Sequence, residues 1–192
     1  KDYKHLIDIF RNTNFEVDIV GTGSLEKELK KLSTNNISYL GNLDFDELSD
    51  LYNKYVFYVS STSYEGNPKS ILEAMSKGCI VIAPNLSNIR EIITNNENGI
   101  IYDKSSDKIT DIIQNLIKDL SKLNYISTNA TEHVKLNNSL NLIKIHSIIF
   151  DKYLRYQLLV LKYRGKSSIK EHKDLLDFQT PLNDSNTKQE SN

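Results

Sequence analysis

A chain of 192 residues is long enough for one domain with its own core, and 39% hydrophobic with 26% charged residues excludes a disordered chain. A formal net charge of -1 gives no basic excess for nucleic acid and no acidic solvating tail. Cys79 is the single cysteine, which excludes an intrachain disulfide and a thiolate-built zinc site and suits a reducing, cytoplasmic setting.

The opening KDYKHLIDIF is charged and amphipathic, unlike a secretory leader, and reads as a helix over residues 1–11. Apolar VDIV at 17–20 reads as a strand ending in the turn Gly21-Thr22-Gly23-Ser24. Ser24 is placed to cap a helix, LEKELKKL. The strand ISYL at 37–40 stops at Gly41, and Asp44 opens the helix FDELSDLYNK. VFYVS at 56–60 is a strand followed by a polar stretch to Asn67. Pro68 begins the helix PKSILEAMSK, and Gly78 ends it. CIVIA at 79–83 is a strand, 87–94 a short helix, GIIY at 99–102 a strand and 106–123 a longer helix.

These strands are apolar along their whole length, the pattern of strands buried on both faces. The expected fold is therefore α/β, a doubly wound Rossmann-like parallel sheet with helices on both faces. Ligands in such folds bind at the carboxyl ends of the strands. From about residue 139 the pattern changes to one long, very apolar helix. Three regions follow: 1–135 as the binding domain, 136–165 as a C-terminal helix and 166–192 as a polar tail of disordered composition.

The densest chemical signal is SYEGNPKSILEAM, residues 63–75, between a buried strand and a helix. Gly66 and Asn67 are turn formers just before the helix. Backbone amides of such a turn and of the first helical turn point outward, with the positive end of the helix dipole behind them. That arrangement suits a diphosphate. Helical side chains lean toward the N-terminus, so Glu73 can reach back to the same ligand. A carboxylate accepts two hydrogen bonds at once, which matches the paired hydroxyls of a ribose.

Glu65 and Glu73, with seven residues between them inside EGNPKSILEAM, resemble the signature of retaining glycosyltransferases of family 4, of the two-domain GT-B architecture. DIVGTGSLEKELKKL, ISYLGNLDFDELSDLYNKYVFYVSSTSYEG and SKGCIVIAPNLSNIREIITNNENGIIYD resemble successive units of the C-terminal, donor-binding domain of that family. The resemblance is specific over residues 1–103 and weak to about residue 153.

It implies transfer of a sugar from a UDP- or GDP-linked donor to an acceptor with retention at the anomeric carbon. Glu73 would hold the ribose hydroxyls, and Glu65 would be the catalytic contact to the donor sugar. Gly66, Asn67, Pro68, Lys69 and Ser70 would shape the loop around sugar and diphosphate. Gly41, Asn42 and Leu43 would lie near the base. Gly21 and Gly23 match the family's glycine turn. In the family an Arg and, shortly after it, a Lys bind the diphosphate. Lys1 is placed at that Lys, and the Arg would precede it. The domain's first strand and the N-terminal acceptor domain are not in this sequence, so this chain alone is expected to be incomplete as a transferase. The partners implied are a nucleotide sugar and an acceptor-binding domain or chain. Surface-polysaccharide or glycolipid assembly is the family's usual work, and no cofactor or metal is called for.

Simpler readings stand beside these. Two glutamates at this spacing would by themselves be surface residues. The turn after VDIV can be a tight turn without a ligand, and it lacks the third glycine and spaced acidic residue of a dinucleotide fingerprint. His5, His133, His146 and His172 show no ligand spacing, and Cys79 reads as a small core residue. Glu91 and Asp103 are candidates only, Glu91 as a loop-ordering residue. The basic late helix could touch an anionic membrane at the inner face, or pack on another domain. A nucleotide-sugar epimerase and an inactive nucleotide-binding module are the alternative functions.

Overall fold

The computed structural model describes residues 2–64, 68–105 and 107–137, and the backbone of 158–163. Along the chain run α1 (Tyr3–Phe10), β1 (Phe15–Val20), α2 (Glu26–Leu32), β2 (Ile37–Gly41), α3 (Phe45–Lys54), β3 (Phe57–Val59), α4 (Lys69–Ser76), β4 (Ile80–Pro84), α5 (Ser87–Arg90), β5 (Ile100–Tyr102), α6 (Ile109–Lys118), α7 (Leu120–Leu136) and β6 (Leu158–Tyr163).

The helices form where spacing and caps direct. In α1 the buried residues Tyr3, Leu6, Ile7 and Phe10 recur at helical spacing, and the Asp2 side chain accepts from the His5 amide at 3.2 Å. At the start of α3, Asp44 and Glu47 make reciprocal bonds: the Asp44 side chain takes the Glu47 amide at 2.8 Å, and the Glu47 side chain takes the Asp44 amide at 2.9 Å. A cap of this kind contributes about 1 kcal/mol. Ser24 does not cap α2. The helix begins at Glu26 with no side-chain cap, and Ser24 lies exposed in the preceding turn. The helix expected over 106–123 is two helices, because Asp119 breaks α6 and caps α7 through the Lys122 amide at 3.0 Å.

The sheet has the order β2-β1-β6-β3-β4-β5. β1 pairs parallel with β2, and β4 pairs parallel with β3 and β5. β6 pairs antiparallel with both β1 and β3, so β1 to β5 all run in one direction. Residues 158–163 were expected inside a long helix and are instead a central strand. The reason lies in the backbone: without β6, the facing edges of β1 and β3 would carry unpaired amides and carbonyls in the middle of the sheet. The rest of the expected late helix and the tail lie outside the described residues.

Alternation along the strands divides the core between the two faces. Phe57, Val59, Ile80 and Ile82 pack with α1 and α6 on one face, together with Leu29 of α2. Tyr58, Val81 and Ala83 pack with α3, α4 and Ile89 of α5 on the other. α7 serves both clusters, giving Leu123 and Ile126 to the first and Ala130 and Val134 to the second. Each aliphatic side chain buried this fully contributes about 1.5–3 kcal/mol. β2 departs from the expected fully apolar strand: it lies at the sheet edge, and Ser38 and Leu40 are exposed.

Two details explain why particular small or polar residues stand where they do. One side-chain amide, Asn36 Nδ2, donates to the carbonyls of Phe10 at 2.9 Å and Phe15 at 2.8 Å, fixing the turn from α1 into β1. A Cβ on Gly99 would stand 2.9 Å from Ile93 Cγ2 and 3.2 Å from the Val81 carbonyl oxygen, so only glycine lets the turn before β5 approach β4.

Candidate functional site

Because β1 to β5 are parallel, the segments after Val20, Gly41, Val59, Pro84 and Tyr102 gather at one edge of the sheet. The sheet order reverses direction between β1 and β3, with β6 between them. The crevice outside the carboxyl ends at such a reversal is where ligands bind in open α/β sheets.

The segment leaving β3 begins with three buried polar residues, Ser60, Ser61 and Thr62. Buried hydroxyls and carbonyls require partners, and neighbouring elements provide them. The Tyr102 hydroxyl donates to the Ser60 carbonyl at 3.0 Å. Ser61 Oγ donates to the Asp2 carbonyl at 2.8 Å, and the Asp2 amide donates back to the Ser61 carbonyl at 3.3 Å. Thr62 Oγ1 donates to the Tyr64 carbonyl. Lys104 Nζ donates to the Ser61 carbonyl at 2.8 Å and to Ser63 Oγ at 3.1 Å. Tyr64 then stands 85% exposed at the rim. The start of α1 and the end of β5 thus brace the segment from two sides.

Beyond it, α4 opens at the same edge. Its N-cap is Pro68, which has no amide hydrogen and makes no side-chain cap bond. The Ile71 and Leu72 amides both turn back to the Pro68 carbonyl. Ser70 is buried, with its hydroxyl accepting from Tyr58 at 3.0 Å and its carbonyl from Tyr52 at 3.3 Å. These bonds pin the first turn of α4 to the core. Glu73, one turn further on, is half-buried and near enough to Tyr52 to add to the rise in that phenol's pKa, whose main cause is burial.

The glycine turns lie side by side. The Gly21 amide donates to the Gly41 carbonyl at 2.6 Å, and Thr22 Oγ1 donates to Asn42 Oδ1 at 3.3 Å. Gly21 and Gly41 both have positive φ, 109° and 72°, which favours glycine at these sharp exits from β1 and β2. The Gly21 amide is therefore used within the protein. Gly23 accepts from the Glu26 amide at 3.1 Å. Leu43 is half-buried against the cluster that includes α4.

Of the residues singled out in the sequence, Gly41 ends β2, and Gly21, Gly23, Asn42, Leu43, Pro68, Lys69, Ser70 and Glu73 follow the carboxyl ends of β1, β2 and β3. Lys1, Glu65, Gly66 and Asn67 lie outside the described residues, flanked by Asp2, Tyr64 and Pro68. Asp103, also exposed at this edge, has its pKa lowered by the Ser105 amide and hydroxyl. Glu91 is an exposed C-cap residue of α5, while the nearby Asn98 orders the turn by accepting from the Thr94 amide at 2.8 Å and donating to the Ile92 carbonyl at 3.1 Å. Cys79 is fully buried, and desolvation pushes its thiol up to about 12.

Sequence reasoning missed Asp2, Tyr102 and Lys104. Each bonds a residue forty or more positions away, which no local spacing announces. Among the described residues no group of three or more His, Cys, Asp or Glu could hold a metal ion, and no helix is long and apolar enough to cross a membrane.

Known proteins bear on this geometry. The chain is 29% identical over 119 residues to an uncharacterised glycosyltransferase of Methanocaldococcus jannaschii, covering 57% of this chain and 34% of the relative. It therefore spans about a third of the length of that relative. The C-terminal domain of a group 1 glycosyl transferase from Francisella tularensis is 31% identical, with a TM-score of 0.50, over 58% of this chain and 59% of that one. Anabaena HepE, solved with UDP-glucose, shares the fold at 22% identity and a TM-score of 0.57, over 70% of this chain and 40% of that one. The family model for glycosyl transferases group 1 matches residues 1–133, and this chain belongs to that family, with an α/β domain of the GT-B type.

Proposed function

We propose that this domain binds a nucleotide-diphosphate sugar and, together with an acceptor-binding domain, transfers the sugar with retention, as retaining enzymes of family 4 do. The observation that carries the reading is the start of α4. It is a helix N-terminus whose N-cap, Pro68, makes no side-chain cap bond, placed at the carboxyl edge of the sheet where the strand order reverses, with Glu73 one turn inside it. The dipole and amides of that turn favour an anion.

In this reading the diphosphate lies over residues 65–70, and Lys1 adds a positive charge. Glu73 accepts both ribose hydroxyls, and Glu65 contacts the donor sugar. Gly41, Asn42 and Leu43 border the base, with Gly21 and Gly23 shaping the adjoining turn. The chemistry asks mainly for stabilisation of the departing diphosphate, which oriented amides and a lysine supply without rearranging during the reaction. UDP is the first nucleotide to try, since the Anabaena fold neighbour was solved with UDP-glucose.

Isothermal titration of the chain with UDP and GDP tests this. Saturable binding of one of them is expected, weakened about tenfold or more by Glu73→Ala, the loss expected when hydrogen bonds to a charged group are removed. A folded chain that binds neither nucleotide would overturn the reading. Restoring an acceptor domain then separates a transferase, which gains turnover, from a module that only binds nucleotide.

A further inference from the structure

We propose that Lys104 is a positioning residue for the donor site: its ammonium ties the segment leading into Glu65 to the segment that begins at Asp2. The inference rests on the donor-site reading above and adds a residue to it. Lys104 follows β5 and reaches across the carboxyl edge to the exit of β3. There its Nζ donates to the Ser61 carbonyl at 2.8 Å and to Ser63 Oγ at 3.1 Å, and it lies 3.9 Å from Asp2 Oδ2. Two of the ammonium's donors thus meet a carbonyl and a hydroxyl of the β3 exit, and the Asp2 carboxylate is held by charge across the longer distance. The side chain is only 28% exposed, so its long stem is held rather than free in solvent.

The partners of Lys104 give the contact its meaning. Ser61 and Asp2 already exchange two hydrogen bonds, so α1 and the β3 exit form one unit. Lys104 joins β5 to that unit and carries the tether on to Ser63. Ser63 is two residues before Glu65, and Asp2 is the residue after Lys1. A single cation thus restrains both segments that border the proposed diphosphate and sugar contacts. It also sets a positive charge beside the Asp2 carboxylate, offsetting a negative charge that would oppose an anionic ligand at this edge. Restraint of this kind lowers the ordering cost of binding.

The test compares the full chain with Lys104→Met, Lys104→Arg and Ser63→Ala. Amide hydrogen exchange without nucleotide is expected to speed up in Lys104→Met at Asp2, whose amide donates to the same Ser61 carbonyl that Lys104 holds, while the amides of β4 keep their protection. UDP affinity is expected to fall about tenfold, the equivalent of one charge-assisted hydrogen bond. Lys104→Arg should recover part of the loss, and Ser63→Ala should show a smaller loss. Unchanged exchange at the Asp2 amide in Lys104→Met would overturn the tether. Equal UDP affinity in the wild type and Lys104→Met would overturn the positioning role while leaving the donor site standing. A wild type that binds no nucleotide would overturn the donor-site reading and the positioning role with it, and the exchange measurement would still decide whether Lys104 holds the loop.

Discussion

The two sides of the sheet are held together differently. β3, β4 and β5 pair in parallel, and β3 and β4 are buried at every position, so burial on both faces fixes their place. β1 and β2 also pair in parallel, but β2 is an edge strand with exposed positions, and β1 reaches β3 only through the antiparallel β6. Both sides bury apolar faces under local helices, and each has its inner strand, β1 or β3, paired with the distant β6. The difference is that one side has two strands buried at every position and the other has none. Strands buried on both faces read as unbroken apolar runs, and partly solvated ones do not.

Three measurements can break or sharpen that contrast. The largest effect is expected from Ile82→Ala in β4, where the side chain is fully buried. Removing those atoms leaves a cavity that costs about 4 kcal/mol, read from urea denaturation. The matching truncation Leu40→Ala in β2, where the residue is 39% exposed, should cost about 1 kcal/mol or less. Similar costs at the two positions would erase the distinction.

Next comes Val160→Pro in β6. Val160 is paired with Asp18 of β1 and Tyr58 of β3, so a residue without an amide hydrogen disturbs the bridge between the two sides. A loss of about 2 kcal/mol is expected in the same denaturation experiment. A change below about 0.5 kcal/mol, the scale of an ordinary surface substitution, would show that β6 is not integral to the sheet.

The smallest effect is the alkaline limit. Burial is the leading cause of raised pKa values at Tyr52, Tyr55 and Tyr102, and for Tyr55 the bond it donates to Asp18 adds to the rise. The folded state keeps these protons where the unfolded chain, titrating near pH 10, has lost them. Above about pH 10 the unfolded state therefore binds fewer protons, and stability falls as pH rises, while below it these groups contribute no slope. Denaturation midpoints should be flat near neutrality and drop above about pH 10. Tyr55→Phe should make the drop shallower, and since that bond links the residue capping α3 to β1, it probes the contact between the sides. An unchanged alkaline slope in Tyr55→Phe would remove Tyr55 from the explanation.

The sequence by itself determined the alternation of short apolar strands with amphipathic helices and the segment where chemistry concentrates. These features are local. A strand buried on both faces is apolar at every position, Asp44 and Glu47 cap a helix within one turn, and Pro68 marks a helix start. The same locality misplaced Ser24 as a cap, and it made LLVLKY part of a helix, since a short apolar run satisfies either structure. Only the tertiary structure decided that residues 158–163 enter the sheet between β1 and β3, because two unpaired strand edges demand partners that no neighbouring residue supplies. It also decided that Asp2, Tyr102 and Lys104 brace the exit of β3, because buried polar groups take partners wherever the fold brings them, however far away in the chain.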